Sequence, residues 1–169
     1  MIEIIEVQAA REIREFIALP LRMYRGCSQF SPMLYAEEKR LLRAPRESDA
    51  YETVFYLAKR DGKTVGRIQG ILPKHADGTG QRSARLTRFD AVDDTLVSRA
   101  LFGAVECWAK ARGATRLRGP WGNTDMDRAG ILVEGFGEKS VSGETYNFSY
   151  YAALFEDFGF EILGVHWRD

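Results

Sequence analysis

The sequence predicts one domain of mixed α/β (α+β) class, with a central, mostly antiparallel sheet flanked by helices. Three observations predict it. Residues 51–60 and 64–72 are rich in β-branched and aromatic residues and are joined by Asp61-Gly62, a strong signal for a tight hairpin. Residues 95–112 carry apolar side chains at helical spacing between two strand-like segments, which calls for a parallel crossover. A chain of 169 residues with 45% hydrophobic content is the right size for one ordinary core.

Taken in order, Ile2, Ile4, Ile5 and Val7 suggest a short first strand. A helix is expected over residues 9–25, with Ile13, Phe16, Ile17 and Met23 on one side and Pro20 kinking or breaking it. Ser31-Pro32 is expected to open a second helix that runs to about Arg43, with Glu37 and Glu38 in its early turns. The hairpin 51–72 follows, then a loop over 73–80. The fourth strand, 83–92, switches phase. Ala84 and Leu86 set one apolar register, and Phe89 and Ala91 set the other. One extra residue in a strand reverses the face each later side chain takes, so a β-bulge is expected here. Asp93 or Asp94 can cap the next helix, Gly113 can end it, and 115–120 reads as a fifth strand. A last, aromatic-rich helix is expected over 146–158, stopping at Gly159, with a sixth strand over 160–165.

The charge total is balanced, with 24 basic and 24 acidic residues, so it predicts neither nucleic-acid nor membrane binding. Residues 63–88 hold six basic residues and one acid, whereas residues 121–169 hold three and nine. The acidic end would suit a cationic ligand, although two solvated faces explain the asymmetry equally simply. Cys27 and Cys107 do not form a disulfide framework, and His75 and His166 lack ligand spacing, so no metal site is expected. The opening residues carry no basic leader, and no apolar run reaches the roughly 20 residues of a membrane span. A cytoplasmic protein is therefore expected.

The element order, the suspected bulge and three segments carry a family resemblance. The segments are Arg118-Gly119-Pro120, the run from Gly130 to Phe136, and Tyr146-Asn147-Phe148-Ser149-Tyr150-Tyr151. Together they resemble the GNAT superfamily of acyl-CoA-dependent N-acyltransferases, and more closely a bacterial branch of GNAT-like proteins. The resemblance implies a sheet of six or seven strands whose fourth and fifth members splay apart. The pantetheine arm of acetyl-CoA or another acyl-CoA would lie along Arg88, Phe89, Ala91 and Val92. Its pyrophosphate would meet Thr95, Ser98 and Arg99 at a helix start, where free N–H groups favour anions; Asn147 is assigned to the same cofactor site. Asp90 beside the bulge ranks first as the base, ahead of Glu134 and Glu144, and Tyr150 and Tyr151 are the candidate proton donors. Asn123, Thr124, Asp125 and Glu134 are candidate acceptor-binding residues, with an Asx turn or helix cap as the structural reading of the first three. The acceptor would be an amine of a small molecule or a peptide.

The chain departs from the family in three places. The phosphate turn reads Asp93-Asp94-Thr95-Leu96-Val97-Ser98, without glycine and with two carboxylates. Phe155 stands where many members have a tyrosine. The given sequence stops just after the sixth strand, so either the sheet is short, a partner supplies the seventh strand, as in a homodimer paired at an open edge, or the sequence is part of a longer protein. These departures keep a second reading open: a GNAT-fold module for ligand binding or dimerisation that no longer catalyses.

Overall fold

The computed structural model describes residues 1–124, 127–141 and 144–162. Its elements are β1 (Ile2–Glu6), α1 (Ala10–Met23), α2 (Tyr35–Arg43), β2 (Tyr51–Arg60), β3 (Lys63–Pro73), β4 (Ser83–Ala91), α3 (Thr95–Lys110), β5 (Arg116–Arg118) and α4 (Tyr151–Phe158). The five strands lie in sequence order in one sheet. β1 to β4 pair antiparallel, and β5 pairs parallel to β4. The mixed α+β class is as the sequence predicts. The sheet has five strands among the described residues; of the expected sixth strand, residues 160–162 form none and 163–165 lie outside the described residues.

The two faces of β3 show how the sheet divides its work. Ile68 faces α3 between Gly66 and Gly70. A Cβ on Gly66 would lie 2.7 Å from Leu101 Cδ1, and one on Gly70 3.0 Å from Val105 Cγ1. The missing side chains let α3 settle close on the sheet, where Val97, Leu101, Phe102 and Val105 join Leu86, Phe89, Ala91, Leu154 and Phe155 in the main core. On the opposite face, Phe55 and Leu57 of β2 meet Ile13, Phe16 and Ile17 of α1 and Leu42 of α2. Arg67 and Gln69 are also buried on that side of β3, which places polar chemistry beneath α1 and α2.

α1 does not break at Pro20. Pro20 lacks the N–H that would bond the Phe16 carbonyl. That carbonyl instead accepts from Arg67 Nη1 at 3.0 Å, so the helix continues through the proline. α2 starts at Tyr35 rather than at Ser31-Pro32, because the chain stays extended to its N-cap, Leu34 (ψ 126°). α4 starts at Tyr151 rather than Tyr146. Asn147 holds the preceding segment out of the helix: its amide bonds both the N–H and the carbonyl of Leu132 (2.6 and 3.1 Å) and the carbonyl of Phe148 (2.9 Å).

The bulge falls where the phase switch predicts it. Register shifts between Arg67 and Gln69, so that Arg88 and Phe89 together oppose Ile68, and Arg88 takes a left-handed φ of 48°. Beyond it, Phe89 and Ala91 face the α3 core while Asp90 turns to the α1 side. β4 and β5 pair only over Ser83–Arg85 and Arg116–Arg118. One further bond, Trp121 N–H to the Leu86 carbonyl (2.8 Å), closes the crossing, and β4 has no β5 partner from Thr87 to Ala91. Gly119 makes this crossing possible. Its φ is 146°, and a Cβ there would overlap the Leu86 carbonyl oxygen.

No described helix is long and apolar enough to cross a membrane. Gly119→Ala should lower stability by about 1–3 kcal/mol, since backbone blocks the added methyl. Gly103→Ala, on α3 with open space around it, should instead raise stability by about 0.5–1 kcal/mol. Urea unfolding of the two variants checks both signs.

Candidate functional site

A cavity of about 130 Å³ lies between α1, the segment leading to α2, the bulged half of β4 and the loop before α4. Arg67, Arg88, Asp90, Glu38, Arg128 and Tyr151 line its inner end. These six come from five different segments of the chain. The bulge delivers Arg88 and Asp90, and β3 delivers Arg67. α2 delivers Glu38, which lies in its first turn and is buried against the sheet.

Asp90 is the centre of this group. Arg67 Nε donates to its Oδ2 at 2.8 Å, and Tyr151 Oη donates to its Oδ1 at 3.0 Å. Tyr24 Oη lies 3.3 Å from the same Oδ1 and 3.1 Å from Tyr151 Oη. The backbone N–H of Ala91 donates to Tyr151 Oη at 3.3 Å. Tyr24 is held in a column of near-parallel rings, stacked on Phe30 (4.2 Å) and on Phe148 (4.5 Å), with Tyr150 stacked in turn on Phe148 (5.5 Å).

Beside it lies a second charged group. Glu38 is almost fully buried and takes a bidentate contact from Arg88 (Nε 3.0 Å, Nη2 2.9 Å), with Arg67 Nη1 at 3.7 Å. Arg88 Nη1 also donates to Gln69 Oε1 at 2.8 Å, and Gln69 in turn donates to Thr53. Arg128 donates to the Ser31 carbonyl at 2.9 Å. Burial alone would raise the Glu38 carboxyl, but Arg88, Arg67 and Arg128 outweigh it and hold the group below the ordinary glutamate value. Burial, followed by the Asp90 charge, pushes the Tyr24 and Tyr151 phenols well above their usual range. Burial and then Asp93 do the same for Tyr150. All three hydroxyls therefore keep their protons at neutral pH and act as donors.

Of the sequence-predicted site residues, the structure brings Asp90, Tyr151, Arg88, Phe89 and Asn147 together at the cavity. Tyr150 lies on the cleft side, where its hydroxyl donates to the Ala91 carbonyl at 2.6 Å. Both backbone groups of Ala91 are thus taken by neighbouring tyrosines. Phe89 is a core ring against Phe102 (4.6 Å), and Val92 N–H bonds the Val65 carbonyl. Asn147 is the clasp described above. At the start of α3, Ser98 is buried with its hydroxyl on the Thr95 carbonyl, and Arg99 reaches across to a bidentate pair with Asp157 of α4. Asn123, Thr124 and Glu134 do not line the cavity; the Asn123 carbonyl accepts from Arg85 Nη1 at 3.3 Å. Asp125 lies outside the described residues.

The turn before α3 does not fit a pyrophosphate as it stands. Asp94 is the N-cap of α3, its carboxylate accepting from the Leu96 N–H at 2.8 Å and from Arg60 at 2.5 Å. The helix start is thus occupied by the chain's own anion. Sequence reasoning missed Tyr24, Arg67, Glu38 and Arg128. Arg67 and Gln69 did leave a signal, as polar residues at alternating positions in an otherwise apolar central strand.

No family model matches the chain. Among curated proteins, it is 31% identical over 151 residues to Protein YghO of Escherichia coli (strain K12), covering 88% of this chain and 39% of that protein. It is 32% identical over 142 residues to Bacterial ceramide synthase of Caulobacter vibrioides (strain NA1000 / CB15N), covering 80% and 36% respectively. The chain thus spans well under half the length of both relatives. Among solved structures, it superposes on glucosamine-6-phosphate N-acetyltransferase from Arabidopsis thaliana with a TM-score of 0.59 at 10% identity, covering 100% of this chain and 97% of that one. It superposes on a tandem GNAT protein from the clavulanic acid biosynthesis pathway with a TM-score of 0.62 at 17% identity, covering 94% of this chain and 43% of that one. These likenesses show that the chain has the fold of the GNAT N-acetyltransferases.

Two predictions follow from the charged groups. Glu38→Gln leaves Arg88 without its carboxylate, while Arg67 keeps Asp90, and should cost about 3 kcal/mol at pH 7. The folded Glu38 carboxyl is depressed, so its contribution is present above about pH 4.5 and is lost as pH falls through the folded value. The gap between variant and wild type in denaturant unfolding should therefore close as the buffer is taken well below pH 4. Tyr24→Phe keeps the ring column and removes one hydroxyl, for a loss of about 1 kcal/mol. Tyr24→Ala, which empties the stack, should lose several times as much in the same assay.

Proposed function

We propose that this domain forms amides, transferring an acyl group from a thioester to an amine held in the cavity. The observation that carries the reading is the position of Tyr151, whose hydroxyl bonds both Asp90, at the cavity, and the Ala91 N–H, on the parted edge of β4. One protonated phenol thereby joins the acceptor side to the donor side. The amine nitrogen attacks the thioester carbon and loses a proton to the Asp90 carboxylate. The C–S bond breaks, and the thiolate leaves with a proton from Tyr151, which takes one back from Asp90. The products are an amide and a thiol, and no covalent enzyme intermediate forms. The relative named Bacterial ceramide synthase supports amide formation, since a ceramide is an amide. The acetyltransferases of like fold support an amine as acceptor.

Acyl-CoA is the donor proposed by likeness of fold, and the steps above use only its thioester. Asp94 at the head of α3 favours a second reading, in which the domain keeps the acceptor cavity but has no nucleotide site of its own. Calorimetric titration with acetyl-CoA and longer acyl-CoAs, with free thiol measured over a panel of amines, separates the two. Amide formation predicts saturable thiol release that Asp90→Asn lowers by about 100-fold or more. Absence of both heat and thiol release would leave only the second reading.

A further inference from the structure

The outer end of the cavity differs in kind from the inner end. Ile17 and Pro20 of α1 line it from within, and Leu21 of α1 and Phe30, Pro32, Met33 and Tyr35 of the segment that leads into α2 complete its apolar wall. Four of these apolar residues face solvent: Pro32 is exposed, and Leu21 is 46% exposed, Met33 38% and Tyr35 49%. Leu34 beside them is 66% exposed. Among the described residues nine large hydrophobics are exposed, and four of the nine fall within residues 21–35. Scattered apolar residues on a surface need no explanation, but a cluster rimming a cavity marks a binding surface. Every polar partner at the inner end comes from the charged and phenolic groups around Asp90, and none comes from this rim.

The geometry points to an acceptor with two unlike ends: an amine head that reaches Asp90, and an unbranched hydrocarbon chain that leaves over Leu21, Pro32, Met33 and Tyr35. The head group rests on the amide-forming reading, whereas the chain subsite rests on the rim alone. The continuity of rim and cavity selects this occupant over a flat surface. The same space that is charged within becomes apolar toward its mouth, so one amphiphilic molecule satisfies both ends. A small hydrophilic amine would leave the rim uncovered.

The test uses n-alkylamines from butyl to decyl, below their micelle concentrations, titrated calorimetrically into the protein with no acyl donor present. Affinity should rise by about twofold to fourfold per added methylene, the range from half to full burial of each CH₂. The Leu21→Ser, Met33→Ser double variant changes exposed positions only, and its thermal midpoint should match wild type. In that variant the dependence on chain length should flatten. An affinity independent of chain length in wild type, or an unchanged slope in the variant, would overturn the proposal. A co-sedimentation arm with phosphatidylcholine vesicles covers the rival occupant. A flat alkylamine slope together with vesicle binding lost in the variant would assign the rim to a lipid surface and overturn it as well. A steep slope without thiol release would sink the amide-forming reading and leave the chain subsite standing.

Discussion

Arg67 is the residue on which the arrangement depends. One guanidinium holds Asp90 on β4, caps the Phe16 carbonyl left open by Pro20, and stands near Glu38 on α2. It also lies over the Phe16 ring at 4.8 Å. A planar, permanently charged fork can make these contacts at once, which a lysine ammonium on a flexible stem cannot match. Such a cation is costly to bury alone, and the two carboxylates around it are what make its burial tolerable. Helix α1, helix α2 and the bulged strand are therefore registered to one another through a single side chain on a central strand.

The second constraint is the extra residue in β4. Without it, Asp90 would follow Leu86 onto the α3 face and bring a carboxylate into the main core. With it, the strand delivers Phe89 and Ala91 to that core and Asp90 to the cavity. Gly119 completes the geometry from the other side of the cleft by bringing the chain hard against Leu86 at the point where β4 and β5 part. Tyr151 then spans the gap.

Much of this was legible in the sequence. A strand has a period of two, so the change from Ala84 and Leu86 to Phe89 and Ala91 pointed to an inserted residue, or else to a strand ending at Arg88, and the structure shows the former. Asp90 stood out because it lies beside that bulge, and Tyr150 and Tyr151 because they stand a turn or so before Phe155 in the last helix. Other features depended on partners far away along the chain. Pro20 reads as a helix breaker until Arg67 supplies the missing donor from β3. Glu38 reads as a solvated acid in an early helical turn, yet it is buried against Arg88, fifty residues on. Tyr24 reads as an ordinary aromatic in the last turn of the first helix, and only the ring column shows why its hydroxyl reaches Asp90. The late start of α4 came from Asn147, whose hydrogen bonds run back to Leu132. Local pattern specifies elements well, but it does not specify which distant group will satisfy an exposed carbonyl.

The equal numbers of opposite charges along the cavity have a consequence for how a molecule enters it. Arg67, Arg88 and Arg128 face Glu38, Asp90 and Asp127 across the same lining, and the first two arginines are already matched to carboxylates. Such a wall casts little field beyond a few ångströms, so it neither draws ions in from solution nor turns them away. Capture then proceeds at the pace of ordinary diffusion and is largely indifferent to salt, and discrimination begins only once a visitor is inside.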